Sequence, residues 1–246
     1  MKAKVLCVYD NGAVENTSFI GAHGLSILID VDGQKTLFDT GMRGRYLPHN
    51  LAYSKIKPDE IDRIVISHNH KSNTGGLKAF AEARKEPIDV YVNDSFEGLK
   101  GFMGSKVSEE ITSKLNFIHM TEDTEFSDHL HAVGPFGAEK EFFPILRTRD
   151  GPAVFSSCYH CGLNEPLEHV KNKYRRNPYA LIGGIHLPKA KQRTVDPVSD
   201  IISSYGVSKM YINHCATPRG IVYLRTRFGL RGVNDFYVGD SAEFNL

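Results

Sequence analysis

The apolar positions in the first third of the chain come in short runs, some alternating with polar residues and some continuous, as β-strands require. "KVLCVY" (4–9), "LSILID" (25–30), "KTLFDT" (35–40), "IDRIVIS" (61–67) and "IDVYV" (88–92) all read as strands. Asp32-Gly33, between the second and third, is the dipeptide favoured by a two-residue hairpin turn. Thr74-Gly75-Gly76 opens a helix, "LKAFAEARK", with Leu77, Phe80 and Ala81 as its apolar positions. Residues 93–140 carry the weakest pattern and are expected to form a variable excursion over a site. From Phe142-Phe143 the strand pattern returns and ends in "AVFSSCYHCG", before a helix with Leu163, Leu167, Val170 and Tyr174 on one stripe. "YALIGGIHL" (179–187) and "KMYINHCATP" (209–218) are two further strands. Between them, Pro197 suits the first turn of a helix whose stripe is Val198, Ile201, Ile202 and Tyr205. Strands in two sets, each followed by helices, predict an α/β domain in which two sheets pack together with helices outside.

Composition narrows this picture. A chain of 246 residues can bury a sizeable core, and its net charge of +1 gives no field that would draw it to nucleic acid or an anionic membrane. No apolar stretch approaches the roughly 18 residues of a membrane span. The opening "MKAKVLCVYDNG" turns polar too soon for a secretory signal, so a cytoplasmic protein is expected. Four cysteines (Cys7, Cys158, Cys161 and Cys215) are too few to staple such a chain, and are expected as thiols, metal ligands or redox groups.

The eleven histidines matter chiefly for their placement. Four short apolar strands end in one: His68 with His70, then His160, His186 and His214. Loops at the ends of core strands are where distant side chains can meet. Three imidazoles suit zinc with a fourth position open to water, whose pKa the metal lowers to about 7. His68 and His70 supply two ligands, and His160 is expected to be the third. Iron or manganese would also fit such a set.

At these residues the chain resembles the metallo-β-lactamase superfamily. "HGLSILIDVDGQKTLFDTG" followed by "IDRIVISHNHKSNTGGL" is similar to the N-terminal half of that fold. "SSCYHCGL", "IGGIHL" and "INHCATP" resemble later segments of the branch named for dihydropterin-ribofuranosyl-aminobenzene-phosphate synthase. The resemblance implies an αββα sandwich and a metal centre at the strand ends. The superfamily motif His-x-His-x-Asp-His falls on His68, Asn69, His70, Lys71, Ser72 and Asn73. The implied first metal site, His68, His70 and His160, is complete. The implied second site retains only His214, because Ser72 and Asn73 replace a carboxylate and an imidazole. About one zinc per chain is therefore expected.

Other residues take their expected roles from this frame. Asp39, in "LFDTG", matches the aspartate beneath the metal loop and is expected to orient ligands rather than react. Lys71 either brings a positive charge to the vacant second position or points to solvent. Asn73 and His23 are expected to face substrate, and His186 to bind it or give it a proton. Arg219, where a helix begins, is a credible anchor for phosphate or carboxylate. The basic residues Arg147, Arg149, Lys171, Lys173, Arg175 and Arg176 read mainly as a solvated surface. The leading expectation is a hydrolase that cleaves a small, possibly anionic ester, phosphoester or lactone through a metal-bound hydroxide. The alternatives are a ligand-binding protein on the same fold and a redox protein using Cys158 and Cys161.

Overall fold

The computed structural model describes residues 1–99, 107–187 and 191–246. The chain forms two compact units: Lys4–Thr121 with Tyr237–Ala242, and Glu122–Phe236 with Met1–Ala3 and Glu243–Leu246.

The first unit is built on β1 (Lys2–Tyr9), β2 (Ser26–Val31), β3 (Gln34–Phe38), β4 (Arg63–Val65), β5 (Ile88–Asn93) and β6 (Leu115–Met120). They lie side by side in that order, and the last strand of the chain, Ser241–Asn245, lies beyond β1. β1, β2 and β3 pair antiparallel, whereas β3 to β6 pair parallel. The turn between β2 and β3 is the expected one: Asp32 and Gly33 have φ of 55° and 75°, positive at both central positions as a type I′ turn requires. Among the described residues, four α-helices belong to this unit: α1 (Tyr46–Tyr53), α2 (Lys71–Thr74), α3 (Leu77–Glu82) and α4 (Glu109–Thr112). Leu47, Leu51, Leu77 and Phe80 from these helices pack with Ile64, Ile66 and Val90 of the strands in one buried cluster.

The second unit carries β7 (Thr124–Glu125), β8 (Leu130–Phe136), β9 (Glu141–Thr148), β10 (Gly151–Ser156), β11 (Ala180–Gly183), β12 (Lys209–Ile212) and β13 (Val233–Asn234). These too are neighbours in sequence order, antiparallel up to β10 and parallel from there to β13. Its helices are α5 (Asn164–Tyr174), α6 (Gln192–Ser204) and α7 (Pro218–Phe228). Leu167, Val170, Val195, Ile202, Ile221 and Leu224 bury their side chains against Val154, Leu181 and Met210. Both sheets are therefore mixed, each with its own helices, in the α/β fold class that the pattern predicts.

Two expectations need correction. The weakly patterned segment 93–140 holds regular elements, α4, β6, β7 and β8, although its residues 100–106 lie outside those described. Gly134-Pro135 falls inside β8 and the register shifts between Val133 and Phe136, which broke the alternation that marks a strand. The helix expected to start at Pro197 begins at Gln192, placing Pro197 inside it. The earlier turn buries Val195, and the Lys191 N–H donates to Thr194 Oγ1 across 3.1 Å at its start.

Candidate metal centre

In the first unit, β4 runs directly into Ser67, His68 and His70. His68 Nε2 and His70 Nδ1 face each other at 2.9 Å. Beneath them, Asp39 accepts three hydrogen bonds: from the Ser67 N–H (2.8 Å) at Oδ1, and from Ser67 Oγ (2.9 Å) and Asn73 Nδ2 (2.7 Å) at Oδ2. Ser67 Oγ also meets Asn73 Nδ2 at 2.8 Å and His68 Nδ1 at 2.9 Å. Proton counting assigns the ring. A serine hydroxyl has one proton, and here it goes to Asp39, so His68 must donate from Nδ1. Neutral His68 thereby keeps a lone pair on Nε2, the nitrogen that faces His70.

The neighbouring backbone holds this pair in place. Thr40 donates from both N and Oγ1 to the Asn73 carbonyl, each at 2.7 Å, and the Gly76 N–H donates to Gly41 O at 3.1 Å. Asp39 has φ of 57°, a left-handed conformation that aspartate tolerates better than most residues. A Cβ on Gly76 would lie 2.0 Å from Thr40 O, so the two loops can approach this closely only with glycine there.

Two adjacent ring nitrogens backed by a carboxylate relay form a donor set that suits zinc. Such support fixes ring orientation before a metal arrives. The same geometry gives the second position of the superfamily motif no metal-binding atoms. Ser72 Oγ donates to Asn73 Oδ1 at 2.6 Å, and the Asn73 amide nitrogen donates to Asp39 and Ser67. Asn73, expected to face substrate, is instead fully buried and ties this network together. Lys71 is exposed and borders a cavity of about 360 Å³ together with Asn69, Lys78 and Phe96. His23 is exposed on the segment just before Gly24, whose Cα lies where a Cβ would meet Ser72 O at 2.6 Å.

The second unit has its own constellation at strand ends. Cys158 and His160 follow β10, His186 follows β11, and His214 with Cys215 follows β12. Donor atoms of Cys158, His160 and His186 lie within 4.8 Å of one another, and the rings of His160 and His186 are 4.9 Å apart. The His186 N–H donates to Cys215 Sγ at 2.9 Å. Tyr159, His186 and His214 have φ of 63°, 42° and 41°, so three strand ends carry left-handed non-glycine residues. Conformations of this kind persist where surrounding structure enforces them, commonly at functional sites. The Cys158 thiol lowers the pKa of Cys215 well below the ordinary thiol range, against the effect of burial, and His186 and His214 lower it further. Conversely, Cys215 raises the pKa of His186 by accepting a hydrogen bond from its imidazole, with burial opposing. Gly184, two residues before His186, is packed tightly against protein. A Cβ on Gly184 would meet Ser157 O at 1.9 Å and Cys215 Sγ at 2.6 Å.

Glu141 anchors the turn that bears His160. Its buried carboxylate accepts the Cys161 N–H at 3.0 Å, and burial pushes its pKa up. Burial and Glu141 together push the Cys161 thiol well above the usual range. This disfavours a Cys158–Cys161 redox pair, because a reactive cysteine needs a stabilised thiolate. The sulfur that Cys158 contacts is that of Cys215, distant in sequence. Arg219 lies on the first turn of α7, and its guanidinium folds back over Tyr223, with the ring centroid 5.6 Å away. Ser67 and Glu141 escaped the sequence reading, although Ser67 directly precedes the histidine pair.

Mixed sheets with histidine and cysteine side chains at the ends of their parallel strands define a class of α/β proteins that place chemistry on strand-end loops. The chain belongs to the metallo-β-lactamase superfamily, whose family description it matches over residues 21–149, just over half its length. It is 24% identical over 255 aligned residues to the 7,8-dihydropterin-6-methyl-4-(β-D-ribofuranosyl)-aminobenzene-5′-phosphate synthase of Methanocaldococcus jannaschii, covering 86% of this chain and 87% of the relative. Among solved structures it resembles Tm1679, a metal-dependent hydrolase of the β-lactamase superfamily, with a TM-score of 0.82, 21% identity, and coverage of 99% of this chain and 100% of that one. A diphosphatase of the PhnP family matches with a TM-score of 0.63 at 15% identity, covering 99% and 98% of the two chains. Among the described residues no helix is long and apolar enough to cross a membrane.

Proposed function

We propose that the protein is a metal-dependent hydrolase of a small anionic substrate, a phosphoester, ester or lactone, in the cytoplasm. His68, His70 and His160 would hold one zinc, with His214 as the additional ligand that the family motif retains. The observation that carries this reading is the pairing of His68 Nε2 with His70 Nδ1 at 2.9 Å, oriented through Ser67 by Asp39. Membership of the superfamily supports it. When bound, the zinc would polarise the substrate and acidify a water molecule.

The protein's own groups must do the rest. Asp39 and Ser67 keep His68 in the tautomer that leaves Nε2 available. With Ser72 and Asn73 committed to each other and to Asp39, stabilisation of developing negative charge falls to Lys71 and His186. His186 also carries an N–H that can pass to a leaving oxygen. Arg219 can hold an anionic part of the substrate once its guanidinium swings away from Tyr223.

The test is metal content by elemental mass spectrometry on protein purified without chelator, for wild type and His70→Ala. About one zinc per chain, lost in the variant, is expected. A chain that takes up no metal after reconstitution would overturn the hydrolase reading in favour of a metal-free binding protein. Assays of phosphomonoesters, phosphodiesters and lactones on the zinc-loaded protein then separate the substrate classes.

A further inference from the structure

A basic cavity of the second unit lies outside this constellation. It measures about 480 Å³, within the usual size of small-ligand sites, and Arg147, Arg149, Lys173 and Arg176 border it around His131 and Tyr174. Arg147 and Arg149 are on and just after β9, whereas Lys173 and Arg176 come from the end of α5 and the turn beyond. Two separate elements thus bring their cations to one cavity.

Three of the cations have no ionic partner. Lys173 is paired with Asp123 at 2.8 Å, but among the described residues Arg147, Arg149 and Arg176 form no ion pair. Backbone carbonyls position two of them: Arg147 Nη1 donates to Asp128 O at 3.1 Å, and Arg176 Nη1 donates to Arg149 O at 2.9 Å. These bonds orient the guanidiniums without neutralising them. The floor is polar and well supported, since His131 is buried and its Nδ1 meets the Tyr174 hydroxyl at 2.9 Å. Glu125 is the acidic side chain at the rim and offsets one of the three free charges. Like charges gathered around a cavity repel each other, and an anion that accepts from several guanidiniums relieves that repulsion.

We propose that this cavity is a binding site for a polyphosphate-bearing small molecule, separate from the metal centre. Phosphate oxygens fit the case better than a single carboxylate. Three guanidinium forks offer more donors than one carboxylate can accept, and two linked phosphates supply both the charge and the acceptor number.

The experiment is calorimetric titration of the full-length protein with inorganic pyrophosphate, at two salt concentrations, for wild type, the double variant R147Q/R176Q and the control R193Q. Arg193 is an exposed arginine of α6 that does not border the cavity. The expected result is saturable binding by wild type and R193Q, weakened roughly tenfold or more for each lost guanidinium in the double variant. Binding should also weaken at the higher salt. Circular dichroism confirms that the double variant is folded, and the milder variant R149Q should show a smaller loss of the same kind. The proposal fails if wild type binds no pyrophosphate up to about 1 mM, a concentration corresponding to roughly 4 kcal/mol of binding. It fails too if R147Q/R176Q binds as wild type does, which would place the anion elsewhere, including at the metal centre. Citrate binding as tightly as pyrophosphate would overturn the assignment to phosphate.

Discussion

Replacing Asp39 with asparagine removes one charge while leaving the shape of the side chain and its tolerance of a left-handed backbone almost unchanged. Asp39 accepts three bonds, two at Oδ2 and one at Oδ1, all within 2.9 Å. An asparagine must turn its NH2 toward at least one of those donors. The least costly choice is Oδ1, which sacrifices the bond from the Ser67 N–H. A hydrogen bond to a charged group contributes about 1.5–3 kcal/mol, and the two retained bonds weaken by about half when the acceptor becomes neutral. Removing a buried charge returns part of this cost. The expected loss is about 2–4 kcal/mol of unfolding free energy, together with a fall in zinc affinity of roughly 10- to 100-fold. Urea unfolding monitored by fluorescence and circular dichroism measures the first, with separate transitions fitted if the two compact units unfold separately. Competition with a chromogenic chelator measures the second. Asp39→Asn with a change below about 0.5 kcal/mol and unaltered zinc affinity would refute the relay from Asp39 through Ser67 to His68.

Other outcomes follow from the same geometry. Ser67→Ala should cost zinc affinity in the same direction, and combining it with Asp39→Asn should cost less than the sum, as a double-mutant cycle would show. Gly184→Ala places a methyl group 1.9 Å from Ser157 O. It should destabilise the second unit by about 3 kcal/mol, read as a fall in Tm of roughly 5–10 °C. Asp123 is half-enclosed, and burial raises its pKa, but hydrogen bonds from Lys173, the Gly134 N–H and His169 outweigh this and lower it overall. A lowered carboxylate pKa stabilises the fold above the unfolded value, so Asp123→Asn should cost about 1 kcal/mol at pH 7. That difference should close as the pH falls below about 4, in unfolding curves taken across the acid range. Ser72→Asp alone should leave the metal count at about one, because Asn73 remains engaged with Asp39 and Ser67; a rise to two, measured by elemental analysis, would show that Ser72 alone blocks the second position.

The strands of the first unit were legible because their apolar residues are consecutive or alternate, and the Asp32-Gly33 turn because its backbone accepts few other residues. The histidines stood out as candidate metal ligands at strand ends. What stayed hidden depends on distance in sequence or on residues without a pattern. Ser67 is small and lies at the end of a strand, so nothing in its spacing marks it as the link between Asp39 and His68. Glu141 opens a strand of buried residues, where a carboxylate looks like an interruption rather than an anchor for Cys161. The Cys158–Cys161 spacing drew attention to a local pair, while the contact that forms joins Cys158 to Cys215 through the parallel order of β10, β11 and β12. Short pieces such as β7, and β8 with its internal Gly134-Pro135, give too few residues for alternation to register. The arginines of the second unit read as a solvated surface because their convergence arises only when β9 and the end of α5 come together.

The departure from the superfamily motif at Ser72 and Asn73 is therefore more than the loss of two ligands. A vacant carboxylate and imidazole position would leave polar space beneath His68, at a substantial cost in unsatisfied hydrogen bonds. Here the replacement residues close that space. Ser72 donates to the Asn73 side-chain oxygen Oδ1, Asn73 Nδ2 donates to Asp39 and Ser67, and Ser67 accepts from His68. Each proton in the chain has a defined acceptor, so the network can rest in one arrangement without a second metal. Residues that merely tolerated decay would have no reason to form such a closed set. The Ser-Asn pair acts as a strut beneath His68, and the hydrogen bonds of this network close among its own residues.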